Sequence, residues 1–293
     1  MSKKNSLQKN KFGYLEIVPK PQISELKMHY QDKYYQQNRS VYEQSYSEDE
    51  LLYFENEAEL CYGTLRKHRA VDKKLLDVGC GEGFLAKYFL DRGWDVRCVD
   101  FSNYGITRHN PALLPHFQQG DLLEYIDEQA ANDCRYSFVN LDNVLEHVLD
   151  PEALLEALKK IMDEKSVARI EVPNDFSSFQ QLVVDLDCTE QTWISPPEHL
   201  SYFNKDSLKS LLNGMGFKIV SLQADFPIEL FLLNENSNYW RDRGLGKAAH
   251  KARVICSNYL AGQSISSYID YREAAAELEF GRILTAYVVL DDV

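Results

Sequence analysis

Five apolar runs of strand length alternate with amphipathic stretches between residues 74 and 172, and that alternation leaves the chain few folds to choose from. The runs fall at 74–79, 95–100, 116–119, 136–141 and 167–172, with helices predicted over 83–91, 103–109, 121–130 and 152–163. Strands separated by helices pair in parallel through right-handed crossovers, so an α/β fold on a mostly parallel sheet is expected. The helix over 152–163 is the best marked: Leu154, Leu155, Leu158, Ile161 and Met162 form one stripe, and Pro151 stands at its start. A later helix has Asn204 as its N-cap, a stripe of Leu208, Leu211, Leu212 and Met215, and a stop at Gly214 and Gly216. Phe217 to Leu222 then reads as a strand, and Ile283 to Leu290 as the last apolar run of strand length.

The first strand, Leu75-Leu76-Asp77-Val78, runs into Gly79-Cys80-Gly81-Glu82-Gly83, and a helix opens at Phe84. Glycines let a backbone turn sharply and approach a ligand, and the helix N-terminus offers unpaired N–H groups. Asp100 closes the second apolar run, at the distance where a carboxylate can take both hydroxyls of a ribose. A dinucleotide fingerprint needs G-x-G-x-x-G. Phe84 occupies the place of its third glycine, which disfavours NAD.

D-x-G-x-G-x-G followed by an acid ending the second strand resembles class I S-adenosylmethionine-dependent methyltransferases. The resemblance covers roughly residues 74–222 and is strongest at 74–100 and 140–151. It implies a Rossmann-like sheet with an antiparallel last strand, and S-adenosylmethionine as cofactor. By the same resemblance Asp77, Gly79, Cys80, Gly81 and Gly83 form the loop under the methionine and ribose. Asp100, with Phe101 and Ser102, serves the ribose; Asp121 and Leu122 serve the adenine; Leu141 and Asp142 serve the methionine part. Asp121 also opens a helix, so an N-cap role stands beside the adenine role.

Asn140-Leu141-Asp142-Asn143-Val144-Leu145-Glu146-His147-Val148-Leu149-Asp150-Pro151 resembles the "LEHV…DP" element of that family. If the segment is helical, Asn143, Glu146 and His147 share one face. In quinone-type O-methyltransferases the matching face is Glu-x-x-Glu-His and is associated with a divalent metal. Asn143 replaces the first glutamate and weakens the anionic set, so no metal is expected; Glu146 and His147 are read as orienting the loop beneath the cofactor. Pro196-Pro197-Glu198-His199-Leu200-Ser201-Tyr202-Phe203 resembles a bacterial subgroup with "PEHLxYF", many of whose members modify sugars, glycans or small metabolites. His199 is the candidate catalytic base, since imidazole takes a proton from a hydroxyl near neutral pH; Glu198 is a lesser participant and a purely structural histidine the alternative. Tyr34 and Tyr35 are candidates to close over the cofactor, or to form a packed helix face.

The net charge of −13 repels a phosphate backbone, so bulk nucleic acid is not expected as a partner. Lys3, Lys4, Lys9 and Lys11 read as part of a mobile tail over 1–21, followed by a helical extension over 22–73 with Tyr30, Tyr34, Tyr35, Tyr42, Tyr46, Tyr53 and Tyr62. The core is expected at 74–225 and 282–293, interrupted at 226–281 by a helical insert acting as a lid or a homodimer contact. Six scattered cysteines form no C-x-x-C pair, and no apolar segment makes a signal peptide or bilayer span, which points to a cytoplasmic protein. The activity so implied is methylation of a small hydroxylated acceptor, with O-methylation favoured and N- or C-methylation the runner-up. A non-catalytic, cofactor-binding assembly protein is the reading from another class.

Overall fold

The computed structural model describes residues 6–22, 25–26, 45–68 and 72–291. Its centre is a seven-stranded sheet in the order β5-β4-β3-β6-β7-β10-β9. The strands are β3 (Lys74–Val78), β4 (Asp95–Asp100), β5 (Phe117–Gln119), β6 (Phe138–Asp142), β7 (Val167–Pro173), β9 (Phe217–Ala224) and β10 (Ile283–Leu290). β3 to β7 pair in parallel, whereas β10 runs antiparallel between β7 and β9. The expected Rossmann-like arrangement with a reversed last strand is therefore present.

Period-two alternation gives each strand two faces, and both are covered. Leu76, Val78, Val139, Leu141 and Ile170 pack with Leu154, Leu155 and Leu158 of α5 (Pro151–Lys159) and with Leu208 and Leu211 of α7 (Lys205–Gly214). On the opposite face Leu75, Val96, Cys98, Phe138 and Val167 meet Cys61 and Leu65 of α1 (Glu48–His68), and Ala86 and Phe89 of α2 (Phe84–Asp91). The remaining helices are α3 (Tyr104–His109), α4 (Leu122–Ala131), α6 (Ser178–Asp185), α8 (Gly246–Gln263) and α9 (Ile265–Glu277). α1 opens on Glu48, Asp49 and Glu50 and closes on Arg66, Lys67 and His68, charges that complement the helix dipole at both ends. No helix among the described residues is long and apolar enough to cross a membrane.

Several expectations are corrected. Residues 6–18, read as part of a mobile tail, form a hairpin of β1 (Ser6–Lys9) and β2 (Leu15–Val18), and β2 pairs antiparallel with β8 (Ser201–Tyr202). The hairpin has an apolar side to bury: Tyr14 and Ile17 are 2% and 1% exposed, and the Tyr14 ring lies 4.7 Å from that of Phe203. Asn10 closes the turn by accepting the N–H groups of Phe12 and Gly13. Lys3, Lys4, Tyr30, Tyr34, Tyr35 and Tyr42 lie outside the described residues.

The helix expected over 152–163 ends at Lys159, because the Ile161 carbonyl turns away to accept the Tyr136 N–H at 2.9 Å. α6 has no apolar stripe to mark it in the sequence: Ser177 caps it by accepting the Gln180 N–H at 3.2 Å, and Leu182 faces solvent. The insert over 226–281 joins α1 in one helical layer, through a cluster of Leu60, Ala261, Tyr268 and Ile269. Arg272, 2% exposed, pairs there with Glu57 at 2.6 Å.

Candidate functional site

Gly79, Gly81 and Gly83 all have left-handed φ, of 71°, 53° and 76°, so the turn after β3 is one that L side chains resist. The Gly79 N–H donates to the Val99 carbonyl at 2.8 Å, lashing the turn to β4. A Cβ on Gly79 would stand 2.5 Å from Val144, and one on Gly105 of α3 would stand 2.5 Å from the Gly81 carbonyl oxygen. Gly105 carries no motif of its own, yet it lets α3 close against the loop. The result is a backbone cradle free of side chains where a ligand can approach.

Asp100 ends β4 beside this cradle, 6% exposed. Its Oδ2 accepts the Gly81 N–H at 3.0 Å and its Oδ1 the Ser102 N–H at 3.1 Å. Burial pushes the carboxyl above its ordinary value, while the N–H groups of Gly81, Ser102 and Phe101 pull it back. Each oxygen keeps lone-pair capacity, so two neighbouring hydroxyls can be held together. At the next strand end, Asp121 Oδ1 accepts the N–H groups of Leu123 and Glu124 at 3.0 and 3.2 Å, so its N-cap role is realised. Cys80, Leu122 and Leu141 are 9%, 7% and 0% exposed. These residues fit a group with a ribose, an adenine and a carbon tail: bare backbone below it, and a buried acid at one side.

Asp77 lies under the loop, 2% exposed, with the Asn140 Nδ2 donating to it at 2.7 Å. It therefore supports the cradle from beneath. Asn140 also accepts from Arg169 at 2.8 Å; Arg169 pairs with Asp142 at 3.1 Å and with Glu171, which in turn accepts from Thr285 at 2.7 Å. Polar residues at alternate positions of β3, β6 and β7 thus form one row beneath α1, a signal the apolar reading of these strands passed over.

Burial raises Asp77 from 3.8 to about 7, with the Asn140 amide opposing. The folded state therefore holds a proton that the unfolded chain releases earlier, and the favourable contribution fades as pH rises from 3.8 to about 7. One such group changes stability by about 1.4 kcal/mol per pH unit within its window. Asp77→Asn is expected to flatten the fall in stability across that window, read by urea unfolding at several pH values; a slope identical to wild type would mean that Asp77 titrates as an ordinary carboxylate.

A cover lies over the loop from the α1 side. The Tyr46 hydroxyl donates to Glu82 at 2.8 Å, His109 Nε2 sits 3.3 Å from the same carboxylate, and the Phe54 and Phe84 rings stack at 4.4 Å.

The segment after β6 is a turn where a helix was conditionally expected, and Asn143 adopts a left-handed φ of 52°. Asn143 consequently leaves the face of Glu146 and His147 and bonds Asp142 at 2.7 Å. Its place is taken by His199, whose ring meets that of His147 edge-on at 4.9 Å. Two features bring the segments together: the Glu146 carbonyl accepts the Leu200 N–H at 2.8 Å, and His147 Nδ1 donates to the Glu198 carbonyl at 2.6 Å. The Tyr202 hydroxyl donates to the His199 carbonyl at 3.1 Å and fixes that residue's backbone.

Glu146 is 1% exposed, and among the described residues neither of its carboxylate oxygens has a hydrogen-bond partner. Burial lifts it well above the usual carboxylate range, and the charges of Asp175, Asp142 and Glu171 add to this. Ligand atoms of Glu146, His147 and His199 lie within 4.8 Å of one another, so the set has the donors and spacing for a divalent ion as well as for proton transfer.

A family model described as a methyltransferase domain matches residues 55–222. The ubiquinone biosynthesis O-methyltransferase of Pectobacterium atrosepticum is 32% identical over 112 residues, 36% of this chain and 45% of that protein. That of Aliivibrio fischeri is 35% identical over 95 residues, 31% of this chain and 39% of that protein. The chain thus spans less than half the length of these curated relatives. Among solved structures, the 1,6-didemethyltoxoflavin-N1-methyltransferase of Burkholderia thailandensis superposes with a TM-score of 0.52 at 12% identity, covering 98% of this chain and 100% of that one. An S-adenosylmethionine-dependent methyltransferase of Clostridium acetobutylicum gives 0.50 at 9% identity, covering 92% and 100%. These two likenesses concern the fold. The family match takes in more than half of the residues, and the chain belongs to the class I S-adenosylmethionine-dependent methyltransferases.

Proposed function

We propose that the protein transfers a methyl group from S-adenosylmethionine to an oxygen of a small hydroxylated acceptor, a sugar, glycan precursor or related metabolite. The observation that carries the choice of oxygen is the meeting of Glu146, His147 and His199 beyond β6. Partial likeness to O-methyltransferases supports it. The backbone of Gly79, Gly81 and Gly83 would hold the cofactor from below, Asp100 its ribose, Asp121 its adenine side, and the backbone of Leu141 and Asp142 its methionine end. When bound, S-adenosylmethionine supplies a methyl group already activated by the sulfonium charge.

Positioning then dominates, since a well-oriented pair can contribute about 7–11 kcal/mol. His199 accepts the proton of the acceptor hydroxyl, and His147, with its Nδ1 proton held by the Glu198 carbonyl, braces the His199 ring. One observation favours a second reading: the same three side chains could hold a divalent cation, in which case His199 is a ligand.

The test is incubation with methyl-labelled S-adenosylmethionine and a panel of hydroxylated acceptors, with and without a chelator, and mass spectrometry of the products. Chelator-resistant O-methylation is expected. Loss of turnover in chelator, restored by added divalent metal, would replace the base with a metal; label found only on nitrogen or carbon would end the O-methyl reading.

A further inference from the structure

We propose that the open cleft between residues 190–194 and 239–243 binds a glycosyl ring of the acceptor at a distance from the atom that is methylated. The inference rests on the O-methyltransferase reading and makes the acceptor larger than a single ring.

The cleft encloses about 680 Å³, lined by Glu190, Gln191 and Thr192 on one side and Tyr239, Trp240 and Arg243 on the other. Its walls are locked together. The buried Asn238 amide, 2% exposed, donates to the Cys188 carbonyl at 2.8 Å and the Leu232 carbonyl at 2.9 Å, while its own oxygen accepts the N–H groups of Trp240 and Arg241, both at 3.0 Å. Arg241 ties back to the Asp187 carbonyl at 2.9 Å. The Arg243 guanidinium lies 5.7 Å from the centre of the Trp240 ring and holds the indole from one side. Such a cleft is formed before any ligand arrives, which lowers the ordering cost of binding.

Chemistry selects the occupant. A half-buried indole and phenol give a flat apolar surface suited to the C–H face of a pyranose. Glu190, Gln191, Thr192 and Arg243 present planar or hydroxyl groups that can donate and accept around a ring bearing several hydroxyls. An apolar aryl group would call for a more enclosed, apolar lining. A nucleotide would bring phosphate to a protein of net charge −13.

The cleft is also joined to the site. Tyr239 feels the charges of Glu229 and Arg282, and Arg282 pairs with Asp175 at 2.9 Å, just beyond the C-terminal end of β7. On the other wall, His199 follows Ile194 by five residues, a reach of at most about 18 Å of chain. An acceptor of several rings can present one ring to the cleft and another to His199.

The experiment is saturation-transfer NMR of the full chain with methyl glycosides of glucose, galactose, mannose and rhamnose and with maltose, cellobiose and lactose. It is repeated on Trp240→Ala and on the exposed-site variant Gln191→Ala, with calorimetry of S-adenosylhomocysteine on all three proteins. The expected result is transfer to at least one glycoside, lost in Trp240→Ala and weakened at least tenfold in Gln191→Ala, with cofactor-product affinity unchanged within twofold. No transfer to any sugar, or transfer that survives both substitutions, would overturn the cleft assignment and leave the methyl-transfer reading standing. Failure of the wild-type chain to bind S-adenosylhomocysteine would instead remove the methyl-transfer reading, whatever the sugars do.

Discussion

Replacing Asp100 with alanine is expected to weaken S-adenosylhomocysteine binding by about 10²–10³-fold, from the loss of two charge-assisted hydrogen bonds. The effect has two sources. A buried carboxylate that can hold both ribose hydroxyls disappears, and so does the acceptor of the Gly81 and Ser102 N–H groups, leaving the cradle without its brace to β4. Asp100→Asn keeps one acceptor oxygen and should lose less, about tenfold, because its amide end places a donor against an N–H. Calorimetric titration reads both. An alanine variant that binds within threefold of wild type would show that the ribose is held elsewhere.

His199→Ala is expected to lower kcat by about 10²–10⁴-fold, the usual contribution of a general base. S-adenosylhomocysteine affinity should stay within about twofold, because His199 stands with His147 and Glu146 beyond β6 rather than on the glycine loop. A merely structural histidine would behave differently: its removal would loosen the stretch that packs on the Glu146 carbonyl and the hairpin, lowering stability and cofactor affinity together. Thermal melting and calorimetry beside the rate measurement separate the two. If His199→Ala and Asp100→Ala lose cofactor affinity equally, His199 has no place in the chemistry.

Much of the frame was legible in the residues because it depends on local rules. β3 to β7 announce themselves by apolar runs broken by helices, and the glycine turn needs backbone angles that other residues avoid. Asp100 was legible because its distance along the chain reflects one crossover. The N-cap Asn204 was equally local in origin, whereas the reversed β10 was legible only through the family resemblance. Residues 6–18 were misread because a short hairpin has little periodicity of its own; what orders it is β8, far away in sequence. α6 went unseen because its helix propensity is realised only against neighbours that the chain supplies later.

What the sequence determined by itself is the parallel sheet, the bare-backbone turn and the acid that ends the second strand, since each follows from the torsional and hydrogen-bonding needs of adjacent residues. Tertiary structure alone decided that Asn143 turns away and His199 arrives beside His147, that Gly105 admits α3 to the loop, and that Asp77, Asn140 and Arg169 share one buried row. Those pairings join segments tens of residues apart. Their energy comes from burial and from polar groups satisfying one another after the chain has closed, and no stretch of sequence read alone contains both partners.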